Sequence, residues 1–439
     1  MTWWVALTGG VGLLLALLLL GVPIFVAFLI LNVTGILVIL GPSGFGMFAN
    51  SIYATGTISA LAAVPLFILM GEILFRSGAM EVLFDSMDRL VGKIRGRQYI
   101  LCILLSAILG ALSGAAMAVA GLLGRSLFPT MLKRGYDKHL SAGTILAGAS
   151  LDPIIPPSVL AILIATIAQI STGKLLVAGI IPGIMLTVMF LIYVMIRLKL
   201  NPALAPDLAI DLADRKASGS AFVALLKMMP SALIFFLVMG LVMLGVATPT
   251  ESAATGVFGA LLMAAGYKKL SWKLVREALM SAVTIASLLL LIMCCAVMFS
   301  QLLTLTGAAR KLGEIVVDLN LSAAFMLFLM MAVPFILFMF LDQVALMLVL
   351  IPIYNPLLKV YGFDEIWFYT LFLVVATVGG LTPPFGYTLF ALKSAAPTVP
   401  MSDIFKASWP FVWIIMLGLL IMALYPPLVT FLPNLTGKS

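Results

Sequence analysis

Ala149-Ser150-Leu151-Asp152-Pro153-Ile154-Ile155-Pro156-Pro157-Ser158 and Ala376-Thr377-Val378-Gly379-Gly380-Leu381-Thr382-Pro383-Pro384-Phe385-Gly386 decide how this chain folds. Both lie inside long apolar segments, and both carry a Pro-Pro pair. Proline has no N–H and pushes the residue before it into extended geometry, so each pair interrupts a helix. The two pairs are 227 positions apart. At that offset, in a gapless window of 29 residues, Pro129, Gly135, Asp137, Leu146, Ala149, Pro156 and Pro157 match Pro356, Gly362, Asp364, Leu373, Ala376, Pro383 and Pro384. Tyr136 faces Phe363, and Ser150 faces Thr377, in the same register. The chain therefore reads as two copies of one unit, each broken at a double proline. Broken helices in corresponding places of two repeats point to the binding site of a secondary transporter.

Apolar residues make up 63% of the 439 positions and charged residues 10%. A soluble domain would carry about 25% charge. Apolar runs of roughly 18 residues or more recur along the chain, as bilayer-spanning helices require. The runs do not alternate polar and apolar residues, so a closed β-barrel is excluded. The predicted class is an all-α polytopic membrane protein. Cys102, Cys294 and Cys295 sit in apolar sequence with no spacing that indicates a structural disulfide. The net charge of +8 is explained by cations gathered in loops on one side of a membrane. No Lys or Arg precedes Arg76, so the first apolar run lacks the cationic start of a secretory signal and reads as a retained membrane helix.

The first repeat is predicted over 1–198. It has membrane helices near 3–20, 22–40 and 59–77 and an amphipathic segment over 81–97, a group spanning 1–97. A hairpin and broken helix follow over 98–172, then a closing helix over 175–198. Segment 98–133 as one straight helix would be about 54 Å long, too long for a ~30 Å hydrocarbon core. Cationic clusters bound both its ends, which predicts a re-entrant hairpin with its tip at 112–115. The next crossing, 139–170, breaks at 152–158. A polar connector covers 199–229. The second repeat, 230–439, has helices near 230–247, 250–268 and 283–303. Its hairpin and broken helix lie within 321–396, and a closing helix within 404–432. Ala115 maps to Asp342, which sets the second tip. Placing the first cationic loops inside puts eighteen of the 25 Lys and Arg inside and five outside. That orientation turns the second repeat upside down relative to the first and puts both termini outside.

At each break one half-helix ends in unpaired carbonyls and the next begins with free N–H groups. Carbonyls and hydroxyls suit an alkali cation, and N-terminal ends suit a carboxylate. The expected chemistry is cation-coupled uptake of an organic anion. Candidate cation ligands are Ser113, Ser150, Asp152 and Ser158 in the first set, and Asp342, Thr377 and Thr382 in the second. Gly114, Ile155, Gly380 and Gly386 complete the two sets. Arg125 is the candidate partner of a substrate carboxylate, beside Pro157, Ser158 and Pro384; the alternative is that it snorkels to the surface. Asp152 could instead cap the half-helix after the prolines. Glu72 and Arg76 read as an i,i+4 ion pair, Thr248-Pro249-Thr250-Glu251 as a capping box, and His139 as a surface residue of a polar loop. No cluster for a transition metal, phosphate loop or nucleophile elbow is present, so no catalytic residue and no organic cofactor are expected.

The chain resembles the large membrane subunit of the tripartite ATP-independent periplasmic (TRAP) transporters. The resemblance is carried by Pro65 to Glu72, Phe128 to Asp137, Ile155-Pro156-Pro157-Ser158, Lys174 to Gly183, Pro249-Thr250-Glu251, Phe340-Leu341-Asp342 and Leu381 to Gly386. It implies an elevator in the bacterial cytoplasmic membrane. The hairpins and broken helices slide against a scaffold, sodium ions drive import, and a periplasmic binding protein delivers an organic acid. A small four-helix membrane subunit braces the scaffold. The chain departs from the family pattern at Ala115, Asp152, Gln343 and Arg125, all near the expected sites. Two other readings compete: proton coupling through Asp152 and Asp342, and an intramembrane aspartyl-type enzyme using the same pair.

Overall fold

A computed structural model describes residues 3–436, apart from Lys93, 114–115, 208–220, 309–310, 312–313, 316–317 and 319. The described chain is helical, and six of its helices are long and apolar enough to cross a membrane. Apart from Lys227 near its start, the exposed side chains along Ala221–Met243, such as Phe222, Leu233 and Phe236, are apolar. That is what a lipid-facing surface requires.

The repeat is visible in backbone detail. Helix Lys138–Ala149 is capped by Asp137, whose carboxylate accepts from Leu140 N–H at 2.8 Å. Helix Glu365–Leu381 is capped by Asp364, which accepts from Trp367 N–H at 2.8 Å. Donor and acceptor both keep the 227-residue offset. Gly135 and Gly362, two residues before each cap, have φ of 82° and 66°, a conformation that glycine adopts without steric cost. Both Pro156-Pro157 and Pro383-Pro384 are cis. Helix Trp272–Leu305 begins 227 positions after Phe45, where the first repeat has two pieces, Phe45–Gly56 and Ala63–Arg76.

Both hairpins form where expected. Arms Arg97–Ser113 and Ala116–Ser126 make the first, and Ala323–Phe338 and Gln343–Tyr361 the second. Their second arms start at Ala116 and Gln343, again 227 apart. The broken crossings consist of Lys138–Ala149 with Val159–Ala168, and Glu365–Leu381 with Tyr387–Ala395. A ten-residue half-helix rises about 15 Å, half of a ~30 Å hydrocarbon core. The hairpins and broken crossings pack on one another: Arg97–Ser113 on Lys138–Ala149, Ala116–Ser126 on Tyr387–Ala395, and Ala323–Phe338 on Glu365–Leu381. Outside this group, Ala63–Arg76 packs on Pro249–Gly266 and Trp272–Leu305, and Ile24–Ile39 on Trp272–Leu305. Buried Asn32 donates to Cys295 O at 2.7 Å across that last contact.

Several boundaries move. The amphipathic helix is Ala79–Leu90, and Arg97 opens the first hairpin arm instead of closing that helix. Gly92 and Gly96 both have positive φ, which separates the two. Arg97 is buried and donates to the Asp88 carboxylate and to Asp88 O at 2.8 Å. The helix expected at 283–303 starts at Trp272, because Ser271 caps it by accepting from Leu274 N–H at 3.2 Å. The closing helix is two helices, Met401–Leu424 and Pro427–Thr436. His139 is no loop residue. It lies in the first turn of Lys138–Ala149, with Nε2 3.2 Å from Asp403 Oδ1. The capping box at Thr248 forms as the sequence indicates, with Glu251 accepting from Thr248 N–H at 2.8 Å. Arg76 binds Glu72 at 3.0 Å and reaches further, to Glu277 at 2.7 Å.

Candidate functional site

The first break is tightly curled. Ile154 and Ile155 N–H both donate to Leu151 O, at 3.0 and 2.9 Å. The Ser150 hydroxyl donates to Ala147 O at 2.7 Å. The half-helix after the prolines starts at Val159 and is capped by Ser158, which accepts from Ala161 N–H at 3.1 Å. Ser158 therefore takes the capping role that the sequence offered to Asp152. Asp152 is 2% exposed. It rests on the first hairpin arm at Gly110, where an added Cβ would stand 3.0 Å from Asp152 Cα. On the other side, a Cβ at Gly179 would lie 2.2 Å from Ile154 O, and one at Gly183 2.5 Å from the Ile155 side chain. Only glycine at these positions lets helix Ile180–Leu200 and its preceding turn close over the break.

The second break is held mainly by its own hairpin. Phe385 N–H donates to Met339 O at 3.3 Å, tying the break to the second tip. Gly386 N–H donates to Thr382 O at 3.1 Å, and the Thr388 hydroxyl to Gly380 O at 2.6 Å. The Thr377 hydroxyl donates to Leu373 O at 2.9 Å and the Thr382 hydroxyl to Val378 O. Buried Gln343 donates its amide to Ala376 O. Asp342 caps the second arm, accepting from Val344 and Ala345 N–H at 2.8 and 3.1 Å, and it is exposed at the tip.

Ser150, Thr377 and Thr382 have each given their proton to a helix carbonyl. Their oxygens keep lone pairs, so they can only accept there. An oxygen with free lone pairs and no available proton is a fit ligand for a hard cation. The expected first set is brought together from 150 to 158. Gly114 lies outside the described residues, and so does the side chain of Ser113. The second set, Asp342, Thr377, Gly380, Thr382 and Gly386, gathers around the second tip. Pro157 and Ser158 are buried, and Pro384 is half-buried. Arg125 is exposed and follows Gly124, which packs against Ala395 and Leu392 of the second broken helix.

Tyr387 is the residue that sequence reasoning missed. Its ring covers the bare face of Gly380, and a Cβ there would lie 2.4 Å from it. The Gln343 amide faces the same glycine, whose added Cβ would lie 2.9 Å from Gln343 Nε2. Tyr387 thus packs the second half-helix against the second break beside the second tip. The repeat could not flag it, because its counterpart is Leu160. A cavity of about 580 Å³ lies between Ala79–Leu90 and both arms of the first hairpin. Asp85, Arg97 and Arg134 line it, as does Leu109, the residue before Gly110.

This geometry, two pseudo-repeated broken helices with two hairpins packed on them, defines a membrane transporter fold. A model of the family "Tripartite ATP-independent periplasmic transporter, DctM component" matches residues 11–428, and the chain belongs to that family. It is therefore a transporter component, and the intramembrane-enzyme reading falls away. The chain is 29% identical over 419 residues to the C4-dicarboxylate TRAP transporter large permease protein DctM of Pseudomonas aeruginosa, covering 93% of this chain and 95% of that protein. It is 26% identical to the ectoine TRAP transporter large permease protein TeaC of Halomonas elongata, covering 98% and 99%. Among solved structures it matches the YdaH transporter of Alcanivorax borkumensis with a TM-score of 0.66 at 15% identity, over 89% of this chain and 91% of that one.

Proposed function

We propose that this chain is the sodium-coupled permease of an organic-acid importer in the bacterial cytoplasmic membrane. A periplasmic binding protein delivers the acid, and a small four-helix subunit braces the helices outside the hairpin group. The two hairpins and two broken crossings form the moving body, and one repeat is inverted relative to the other. The observation that carries this reading is the pair of oxygen-rich breaks, each closed against its own hairpin. One sodium site uses Ser113, Gly114, Ser150, Asp152, Ile155 and Ser158. The other uses Asp342, Thr377, Gly380, Thr382 and Gly386. The carboxylate cargo is held by Arg125 with Pro157, Ser158 and Pro384, and leaves toward the cavity beside Leu109.

The test is uptake of a labelled C4-dicarboxylate into proteoliposomes holding the complete three-component system. Sodium is varied at fixed pH, and pH at fixed sodium. Uptake that follows sodium supports this reading. Proton coupling is the second reading, favoured by the burial of Asp152 at the break, and it requires uptake that follows pH without sodium. Arg125→Ala should impair uptake more than folding, and Arg125→Lys should rescue it only in part, because lysine lacks the bidentate fork. Two variants that both transport like wild type would remove Arg125 from the cargo site.

A further inference from the structure

The corner between helices Pro249–Gly266 and Trp272–Leu305 carries four cations in nine residues: Lys268, Lys269, Lys273 and Arg276. All four are exposed, and none forms an ion pair among the described residues. The nearby carboxylates are already engaged, since Arg76 binds Glu72 and Glu277 and also the Ser281 hydroxyl at 3.2 Å. The corner is firmly built. Lys268 and Lys269 N–H donate to Ala265 O and Ala264 O, both at 2.9 Å, and Ser271 caps the next helix.

The surroundings fit a lipid. Trp272 is 78% exposed, and Leu270 is exposed beside it. An open cleft of about 700 Å³ is bordered by Arg76, Trp272, Lys273, Arg276, Met280 and Ser281, with Glu277 held by Arg76. Below it the large exposed residues are apolar, with Met280 and Val283 facing outward, and the exposed Thr284 and Ser287 hydroxyls donate to carbonyls of their own helix. The helix has 34 residues, about 51 Å at its normal rise. A ~30 Å hydrocarbon core takes up only about 20 of them. The first turns therefore stand in the headgroup layer, where an indole ring is at home.

We propose that this corner is a binding site for an anionic phospholipid. The phosphodiester sits at Lys273 and Arg276, Lys268 and Lys269 add to the positive field, and the acyl chains run along Met280 and Val283. The site lies on helices apart from the two breaks, so it stands whatever the coupling ion or cargo is.

The experiment uses the full chain, purified and exchanged into mixed phosphatidylglycerol and phosphatidylcholine, with retained lipid read by native mass spectrometry. Each cation near an anionic surface is worth about fivefold in binding. K273Q/R276Q should therefore cut phosphatidylglycerol retention about 25-fold relative to phosphatidylcholine. K273R/R276K should keep it, which separates lost charge from lost folding. K199Q/K227Q removes the same charge elsewhere and should leave retention at this site unchanged. Equal retention by wild type and K273Q/R276Q would overturn the proposal. So would displacement of the bound lipid by soluble glycerol 3-phosphate at equal concentration, because the site would then recognise a free phosphate ester without need of acyl chains.

Discussion

The two breaks lie at matching positions, although the helix before the second runs to Leu381, five residues past the counterpart of Ala149, and they divide the space beside their hairpins in opposite ways. In the first half the arm is small, Gly110 and Ala111, and the break carries Asp152. In the second half the position of Asp152 is Gly379, and the positions of Gly110 and Ala111 are Leu337 and Phe338. An added Cβ at Gly379 would lie 2.2 Å from Phe338 Cβ, just as one at Gly110 would lie 3.0 Å from Asp152 Cβ. At each contact one partner must be small, and the halves chose different partners. Packing at interior density demands only that the summed volume fit. The acid is therefore free to sit in the break of one half and at the tip of the other, where Asp342 stands. The repeat fixes where the breaks and tips fall and leaves the ion chemistry asymmetric.

The hardest test of the comparison is topological and all-or-none. Single cysteines placed at Lys133 and Lys359, at the outer ends of the two hairpins, should react with an impermeant reagent from opposite sides of the membrane. Labelling of both from one side would end the inverted-repeat account.

Next in size is a transplant. Gly379→Asp places the first half's acid in the second half, against Phe338, and should cost about 3 kcal/mol of stability by overpacking. Adding Phe338→Gly, which removes the Cβ that would meet the new side chain at 2.2 Å, should recover part of that loss. Thermal denaturation of the purified chain reads both, and no recovery in the double variant would show that the two contacts are not equivalent.

The two acids should then separate by readout. Asp152→Asn and Asp342→Asn each remove one negative charge beside an expected sodium site, and each should raise the half-saturating sodium concentration about tenfold, or about 1.4 kcal/mol. Asparagine caps a helix as well as aspartate does, so Asp342→Asn should change the thermal midpoint little. If its sodium dependence is also unchanged, Asp342 is a cap and nothing more.

The smallest effect concerns the matched caps. Asp137→Ala and Asp364→Ala should each lose about 1 kcal/mol. The N–H of Asp137 also donates to Leu204 O at 3.0 Å and to the Tyr99 hydroxyl at 3.1 Å. Those backbone bonds survive the substitution, so the two losses should agree. A clear difference in denaturation would mean that the second half's cap works in a different environment.

Much of this was legible before any fold was known. The 227-residue register located both breaks, and it placed the second tip at Asp342 from the first at 112–115. The Thr248–Glu251 box and the Glu72–Arg76 pair were readable because their partners are three or four residues apart. Covalent geometry at the prolines and hydrogen bonds within one helical turn depend on neighbours in the chain, so sequence alone determines them. Tertiary structure alone decided that Ser158, and not Asp152, caps the second half-helix. It alone showed that Gly110 makes room for Asp152, that Gly179 and Gly183 admit the Ile154–Ile155 turn, that Arg97 is buried against Asp88, and that Tyr387 covers Gly380. Apart from the Ser158 cap, these contacts join residues from different elements. Each depends on how volume and charge are shared where helices meet, and no period or local motif records that division.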